Sequence, residues 1–389
     1  MVRVNLMQEC SIDFFRGTIN ATYERCICLE SKLNNVKVPP VLDEYLLNLK
    51  TNLSTIKSKL YELLQDPNLG HEFLINQQYS RYYRLSQHLS ILESYPITVL
   101  SRYNDDDFYF YNIIRILCKD INYPYRNPLV STYCMTYYAS ELNTELLIVP
   151  FIDRNFLLDL PFILHELGHI ILQKNEEEIL NNFIQDLRAY ITDEKNRVGE
   201  EDRSPEYIDL FNDLKIVWEE SWIKEFASDL IATYLLGPSY GWSYFKLCSR
   251  FSKDIYRPGT LDDVSSEHPS HEVRMRTIIE ALKELNVDIS KLEQHWKEYT
   301  GSIKETPPQE YEYCYPDNLL KSLAKNIIVG CKNIGLRSFN EHDISKSELN
   351  LVNLINTSFE KFLEDSSNYR EWEIGQIKDI NDKVVNFDN

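Results

Sequence analysis

The sequence predicts a mainly α (α+β) protein, and three observations carry that prediction. Glycine is scarce, at 11 of 389 residues, about 3% against a usual ~7%, and strand-rich folds with many tight turns consume glycine. Apolar residues recur at three- and four-residue spacings over long stretches of the chain, which is the period of an amphipathic helix. Two short segments, Val130–Tyr138 and Glu145–Val149, are rich in β-branched, aromatic or aliphatic residues and suit strands.

The elements follow in order. Val41–Leu64 sets Leu46, Leu47, Leu49, Leu53, Ile56, Leu60 and Leu63 largely at three- and four-residue spacings behind Pro39-Pro40. Asp105-Asp106-Asp107 precedes the apolar pattern Phe108–Cys118, and three carboxylates suit the positive end of a helix. The character changes at Pro124–Pro128, where the two strand-like segments begin. Ala139–Thr144 reads as a polar turn between them, giving a small hairpin. Helical pattern returns from Asp159, a good N-cap, with Pro161 in the first turn. Lys195–Pro205 and Pro258–Glu267 read as loops, and Leu349–Phe362 as a late amphipathic helix. The chain divides by this reading into a helical region 1–122, a core 123–286 and a helical region 287–389.

Composition narrows the function classes. At 46.0 kDa the chain has room for two or three units with a buried core, and 43% hydrophobic against 26% charged residues is a globular balance. Sixty acidic against 41 basic residues gives a net charge of −19. That sign excludes a nucleic-acid surface spread over the molecule and docking on anionic lipid. The longest apolar runs, such as Leu146–Ile152, are far short of the ~20 residues that span a bilayer, and the N-terminus breaks its apolar residues with Asn, Gln, Glu and Asp. A cytoplasmic chain without membrane or nucleic-acid partners is expected. Eight cysteines without a C-x-x-C pair fit free thiols in a reducing compartment.

Chemistry concentrates at residues 163–172, ILHELGHIIL. His165 and His169 stand at i and i+4 on one helix face, where both imidazoles can bind one cation, and Glu166 beside them can act on a metal-activated water. In this composition H-E-x-x-H arises by chance roughly 0.015 times per chain. The surrounding Ile163, Leu164, Leu167, Ile170 and Ile171 would bury two histidines and a glutamate at a desolvation cost that a metal removes. The alternative is a pair of core histidines bonded to backbone carbonyls.

A catalytic zinc needs a third protein ligand and an open position. Trp222–Pro238 (WIKEFASDLIATYLLGP) supplies the candidate: Glu225, Ser228 and Asp229 share one face of a helix that is apolar almost all round and ends at Gly237-Pro238. Carboxylates in such a helix must be paired or hold a metal. Glu225 is the expected ligand, and Asp229 is expected to accept the far N–H of a ligating histidine. Glu219 and Glu220 are fallback ligands, and a salt-bridged carboxylate pair is the alternative. In Glu267–Arg276 (EHPSHEVRMR), His268 precedes a Pro269 that suits a helix's first turn, with Arg274 two turns on. A histidine and an arginine near the metal can stabilise an oxyanion, or can simply start a solvated helix.

These residues resemble the gluzincin metallopeptidases. HELGH at 165–169 with E-x-x-S-D at 225–229 matches two histidine ligands, a glutamate ligand on a later helix and an aspartate one turn beyond. H-P-x-x-x-x-R at 268–274 is similar to a motif of the CAAX prenyl-protease and HtpX-type peptidases. HELGHIIL with the pattern Glu225–Pro238 resembles the soluble ImmA/IrrE peptidases, although 56 residues separate His169 from Glu225 here, more than is usual there. The resemblance implies a zincin-like core with a small sheet beside the H-E-x-x-H helix, Zn2+ held by His165, His169 and Glu225, and Glu166 as general base. It implies catalytic roles for His268 and Arg274, Asp229 behind the ligands, and a protein or peptide substrate paired against the strand Glu145–Val149. The expected activity is a soluble zinc metalloprotease. The alternatives are a non-proteolytic zinc-binding helical module and a metal-free helical scaffold.

Overall fold

Helices make up 75% of the chain, beside one small mixed sheet, in a computed structural model that describes residues 2–71, 73–132, 137–200, 205–250, 253–261, 268–341 and 349–385. The mainly α (α+β) class expected from glycine scarcity and apolar period is therefore observed. Two compact units form, Met1–Phe108 with Asn143–Leu146, and Tyr109–Leu142 with Leu147–Asn389.

The first unit contains α1 (Val2–Asn34), α2 (Asp43–Leu64), α3 (Ile75–Leu92) and the short α4 (Thr98–Leu100). Pro40 opens a 3-10 turn ahead of α2, and Leu49, Leu53, Ile56, Leu60 and Leu63 are its buried stripe, the face read from their spacing. Phe15 of α1 stacks on Tyr79 of α3 with ring centroids 3.9 Å apart.

The second unit takes most of α5 (Asp105–Asp120), whose first turn carries the three aspartates. A three-stranded sheet follows, in the order β1 (Leu129–Ser131), β3 (Leu146–Ile148), β2 (Ala139–Glu141). Two expectations change here. Ala139–Glu141, read as turn, is a strand, and a 3-10 turn at Leu142–Thr144 joins it to β3. β3, expected to receive an extended peptide at an edge, is the central strand, so its backbone is already paired on both sides. Residues 133–136 of the strand-like segment Val130–Tyr138, with Cys134, lie outside the described residues.

The body of this unit is α6 (Pro161–Lys174), α7 (Glu176–Glu200), α8 (Pro205–Val217), α9 (Ile223–Leu236), α10 (Pro238–Cys248), α11 (His271–Glu284), α12 (Ser290–Ile303), α13 (Tyr311–Cys314), α14 (Asp317–Asn333), α15 (Leu351–Glu364) and α16 (Tyr369–Val385). α9 is the central element: α6, α10, α11, α14 and α15 pack around it, and Phe226, Leu230, Ile231 and Leu235 are all buried. An all-round apolar helix is stable only in such a position.

Three local expectations are corrected. α7 runs on to Glu200 through the start of the polar segment read as a loop, because Lys195–Gly199 contains no proline and Arg197 pairs with Glu194 one turn back; residues 201–204 are not described. Asp159 does not cap α6, whose N-cap is Leu160 ahead of Pro161; its carboxylate pairs with Lys246 at 2.7 Å instead. Pro269 stands outside α11, which is capped by Ser270 accepting from the Val273 N–H. Of the loop Pro258–Glu267, residues 262–267 are not described.

The free cysteines include buried Cys26, Cys118, Cys248, Cys314 and Cys331 and exposed Cys28. No described helix is long and apolar enough to cross a membrane.

Candidate metal centre

The centre is built where α6 crosses α9. A Cβ added at Gly168 would lie 3.0 Å from both the Cα and the carbonyl oxygen of Ser228, so the glycine of HELGH lets the two backbones touch. The residues three before and one after the crossing point are His165 and His169 on α6, and Glu225 and Asp229 on α9. Helical geometry puts residues at i−3 and i+1 on one face, so a single close approach brings all four side chains together.

His165 Nε2 lies 3.2 Å from His169 Nε2 and 3.6 Å from Glu225 Oε2, and His169 Nε2 lies 3.4 Å from Glu225 Oε1. Donors held about 2.0–2.2 Å from a tetrahedral ion stand about 3.3–3.6 Å from one another. The three separations, two of them to different oxygens of Glu225, lie near that edge, and these residues can hold a metal ion.

Asp229 fixes the orientation of the cluster. It is 0% exposed, and its Oδ1 lies 2.9 Å from His165 Nδ1. Tyr240 donates its hydroxyl to Asp229 Oδ1 at 2.5 Å, and Arg274 donates Nε–H to Oδ2 at 2.7 Å and Nη2–H to Oδ1 at 2.9 Å. With both oxygens acting as acceptors, the network assigns the His165 proton to Nδ1 and leaves the Nε2 lone pair for the cluster. Arg274 Nη1 also lies 3.3 Å from Glu225 Oε2.

The electrostatics follow from this packing. Burial alone would raise both carboxyls, but the Arg274 guanidinium together with His165 outweighs it and holds Glu225 and Asp229 far below the ordinary carboxylate range. Burial opposes a charge on His165, yet its hydrogen bonds to Asp229 and Glu225 hold it up to about 10. His169 is pushed down to about 3 by burial and by His165. The carboxylates of the cluster thus favour a positive charge beside them. Glu166 is raised by burial, against the pull of His165 and of Ser140, whose Oγ donates to Glu166 Oε2 at 2.9 Å from strand β2.

His165, Glu166, His169 and Glu225 line a cavity of about 860 Å³ that also reaches Arg274 and His268. The His268 side chain is 61% exposed and its Nε2 stands 3.8 Å from Glu225 Oε1, so it sits at the rim. Arg274, expected to stabilise an oxyanion or hold the substrate, lines the cavity, and its guanidinium pairs with Asp229 and Glu225. Neither fallback ligand approaches the cluster, for Glu219 pairs with Arg188 at 2.9 Å and Glu220 is exposed.

Sequence reasoning missed Ser140, Tyr240, Tyr244 and His271. Gly237, at φ +64°, turns the chain from α9 into α10, which aims Tyr240 at Asp229 and sets Tyr244 against Arg274, its ring centroid 5.2 Å from the guanidinium. Tyr244 also meets His271 Nδ1 at 3.0 Å. The signal that could have found the tyrosines is their i, i+4 spacing directly after Gly-Pro. Buried phenols need partners, and the nearest polar groups in sequence are on α9. Ser140 carries no such signal. No family model, no curated protein and no solved structure matches the chain.

Proposed function

We propose that the chain is a zinc-dependent, gluzincin-type metallopeptidase acting on protein or peptide substrates. The observation that carries this reading is the shared cavity: two histidines and a glutamate able to hold a metal ion line the same cavity as a second, independent carboxylate, Glu166. A purely structural metal site has no use for that carboxylate, and such sites are closed and commonly rich in cysteine. This argues against a non-proteolytic zinc module.

Two histidines and one glutamate are a known catalytic zinc set, and the bound ion supplies Lewis-acid polarisation and an acidified water. The chain's residues do the rest. Glu166 takes the proton of the attacking water at its carboxylate and returns it to the leaving amine. A carboxyl raised by burial is the more effective proton carrier near neutral pH. Asp229 and Tyr240 hold the His165 ring, and Arg274 keeps Asp229 and Glu225 ionised. His268, at the rim, is placed to donate to the developing oxyanion. β2 lies at the described edge of the sheet and carries Ser140, so it replaces β3 as the strand against which an extended substrate aligns.

Glu166→Gln is the test. Metal content should survive at the wild-type level, while hydrolysis of an unbiased peptide library falls by about 100- to 10,000-fold. Chelator-sensitive hydrolysis that persists in the variant would refute the mechanism.

A further inference from the structure

One end of the cavity is not used by the chemistry described so far. It is lined by Tyr138, Phe162 and Leu247 and, from the segment 151–159, by Asp153 and Asp159. The two aspartates differ in their partners. Asp159 is met by Lys246 at 2.7 Å and by Arg250 at 3.9 Å. Asp153 makes no ion pair among the described residues. Tyr138 adds a phenol oxygen sealed from solvent that lies beside Asp153. A half-buried carboxylate without a cation, set next to a buried phenol on the cavity lining, is a group that a ligand completes.

The wall is also held in place. The Leu157 N–H donates to buried Glu373 of α16 at 2.7 Å, and Arg370 Nη1 donates to the Asn155 carbonyl at 2.6 Å. Arg370 further stacks over Phe156, 4.6 Å from the ring centroid. A segment without long regular structure is thereby tied to a helix more than two hundred residues later. This is the preorganisation that a selective subsite requires.

Charge decides the occupant. Arg274 is committed to Asp229 and Glu225, and Lys246 to Asp159. Arg250 is exposed at the rim, its side chain 63% accessible. Asp153 is left as the under-compensated charge. Burial, followed by the neighbouring Asp159, pushes its carboxyl up, against the Tyr138 hydroxyl beside it and the pull of Lys246 and Arg250. We propose that Asp153 and Tyr138 form a specificity subsite for a basic side chain, lysine or arginine, of the peptide substrate. Building on the peptidase reading, this names the substrate class. An ammonium or guanidinium there pairs with Asp153, accepted across the aromatic faces of Tyr138 and Phe162, whose centroids lie 5.9 Å apart.

Binding tests this apart from catalysis. Labelled peptides, N-acetylated and C-amidated, with one central arginine, lysine or norleucine, are titrated by fluorescence anisotropy against the Glu166→Gln protein loaded with zinc. A fourth peptide carries a free N-terminus and no basic side chain. The arginine and lysine peptides should bind on the order of 10- to 100-fold more tightly than norleucine, the range of one hydrogen bond to a charged group. Adding Asp153→Asn should bring the ratio within about 2-fold, and Asp153→Glu should restore part of it. Melting curves establish that each variant is folded. Equal or undetectable binding of all peptides, a preference that survives Asp153→Asn, or selective binding of the free N-terminus alone overturns the subsite. None of these outcomes depends on cleavage, so a failed Glu166→Gln hydrolysis test is read separately.

Discussion

Asp229 and Asp120 are both buried, 0% and 7% exposed, yet their acidities move in opposite directions. Asp229, at the candidate metal centre, is held far below the ordinary carboxylate range. Asp120, at the end of α5, is pushed up to about 6 by burial, against the backbone N–H groups of Leu351 and Val352. Its Oδ2 accepts from the Leu351 N–H at 2.7 Å, which caps α15, while Arg337 reaches only its backbone carbonyl, at 3.1 Å. What separates the two regions is buried positive charge, the Arg274 guanidinium first and His165 after it. Backbone donors satisfy a buried carboxylate's geometry, but they carry no net charge to cancel its own. Asp153 stands between these cases: it faces a cavity, has no ion pair, and is therefore available to a ligand.

The strongest way to break this comparison is Arg274→Met, which keeps an unbranched apolar stem and removes the charge. It takes the guanidinium from buried Asp229 and Glu225 and leaves the two carboxylates only the cluster's own positive charge, so stability should fall by about 3–5 kcal/mol. Metal should be lost at the same time, because His165 is no longer held against an ionised Asp229. Urea unfolding and metal content per chain measure the two effects. A variant that unfolds like the wild type would show that Asp229 does not depend on Arg274.

The pH dependence of Asp120 sharpens the contrast. A carboxyl with a folded value of about 6 and an ordinary value near 3.8 binds more protons in the folded chain across that window. Its contribution to stability is complete below pH ~4 and is lost as the pH rises through ~6, by up to about 3 kcal/mol. Asp120→Asn keeps an acceptor for Leu351 and removes the titration. The variant should match wild type below pH ~4 and exceed it at pH 7, by at most about 3 kcal/mol. Urea midpoints between pH 3.5 and 7.5 decide this, and a variant weaker than wild type at pH 7 would reverse the sign.

What the sequence makes legible is local. Buried helices with histidines at i, i+4 and carboxylates at i, i+4 announce themselves, because polar groups in apolar helices must be partnered. His165, His169, Glu225 and Asp229 could thus be singled out from spacing and neighbours. The partner of each carboxylate could not. Arg274 reaches Asp229 from another helix, and spacing along the chain does not say whether a nearby arginine faces a substrate or a carboxylate. Strand β2 escaped because three half-buried residues, Ala139-Ser140-Glu141, carry no alternating signal, and the order of three short strands is not written in any one of them. Asp159 escaped as a cap because Lys246, 87 residues on, competes for its carboxylate.

Tyr240 separates geometry from charge at the same aspartate. Its hydroxyl donates to Asp229 Oδ1 at 2.5 Å and lies 3.2 Å from His165 Nδ1, so it orients the carboxylate and the ring without neutralising either. Tyr240→Phe keeps the ring that fills this buried position, and Asp229 retains Arg274 and the His165 N–H. The expected cost is therefore one hydrogen bond to a charged acceptor, about 1–3 kcal/mol, and a fall in metal affinity of about 10-fold, the lower end for groups that orient a ligating histidine. Competition against a chelator of known affinity, alongside urea unfolding, reads both. If Tyr240→Phe costs as much as Arg274→Met, the phenol rather than the guanidinium carries Asp229, and the contrast with Asp120 is not one of charge.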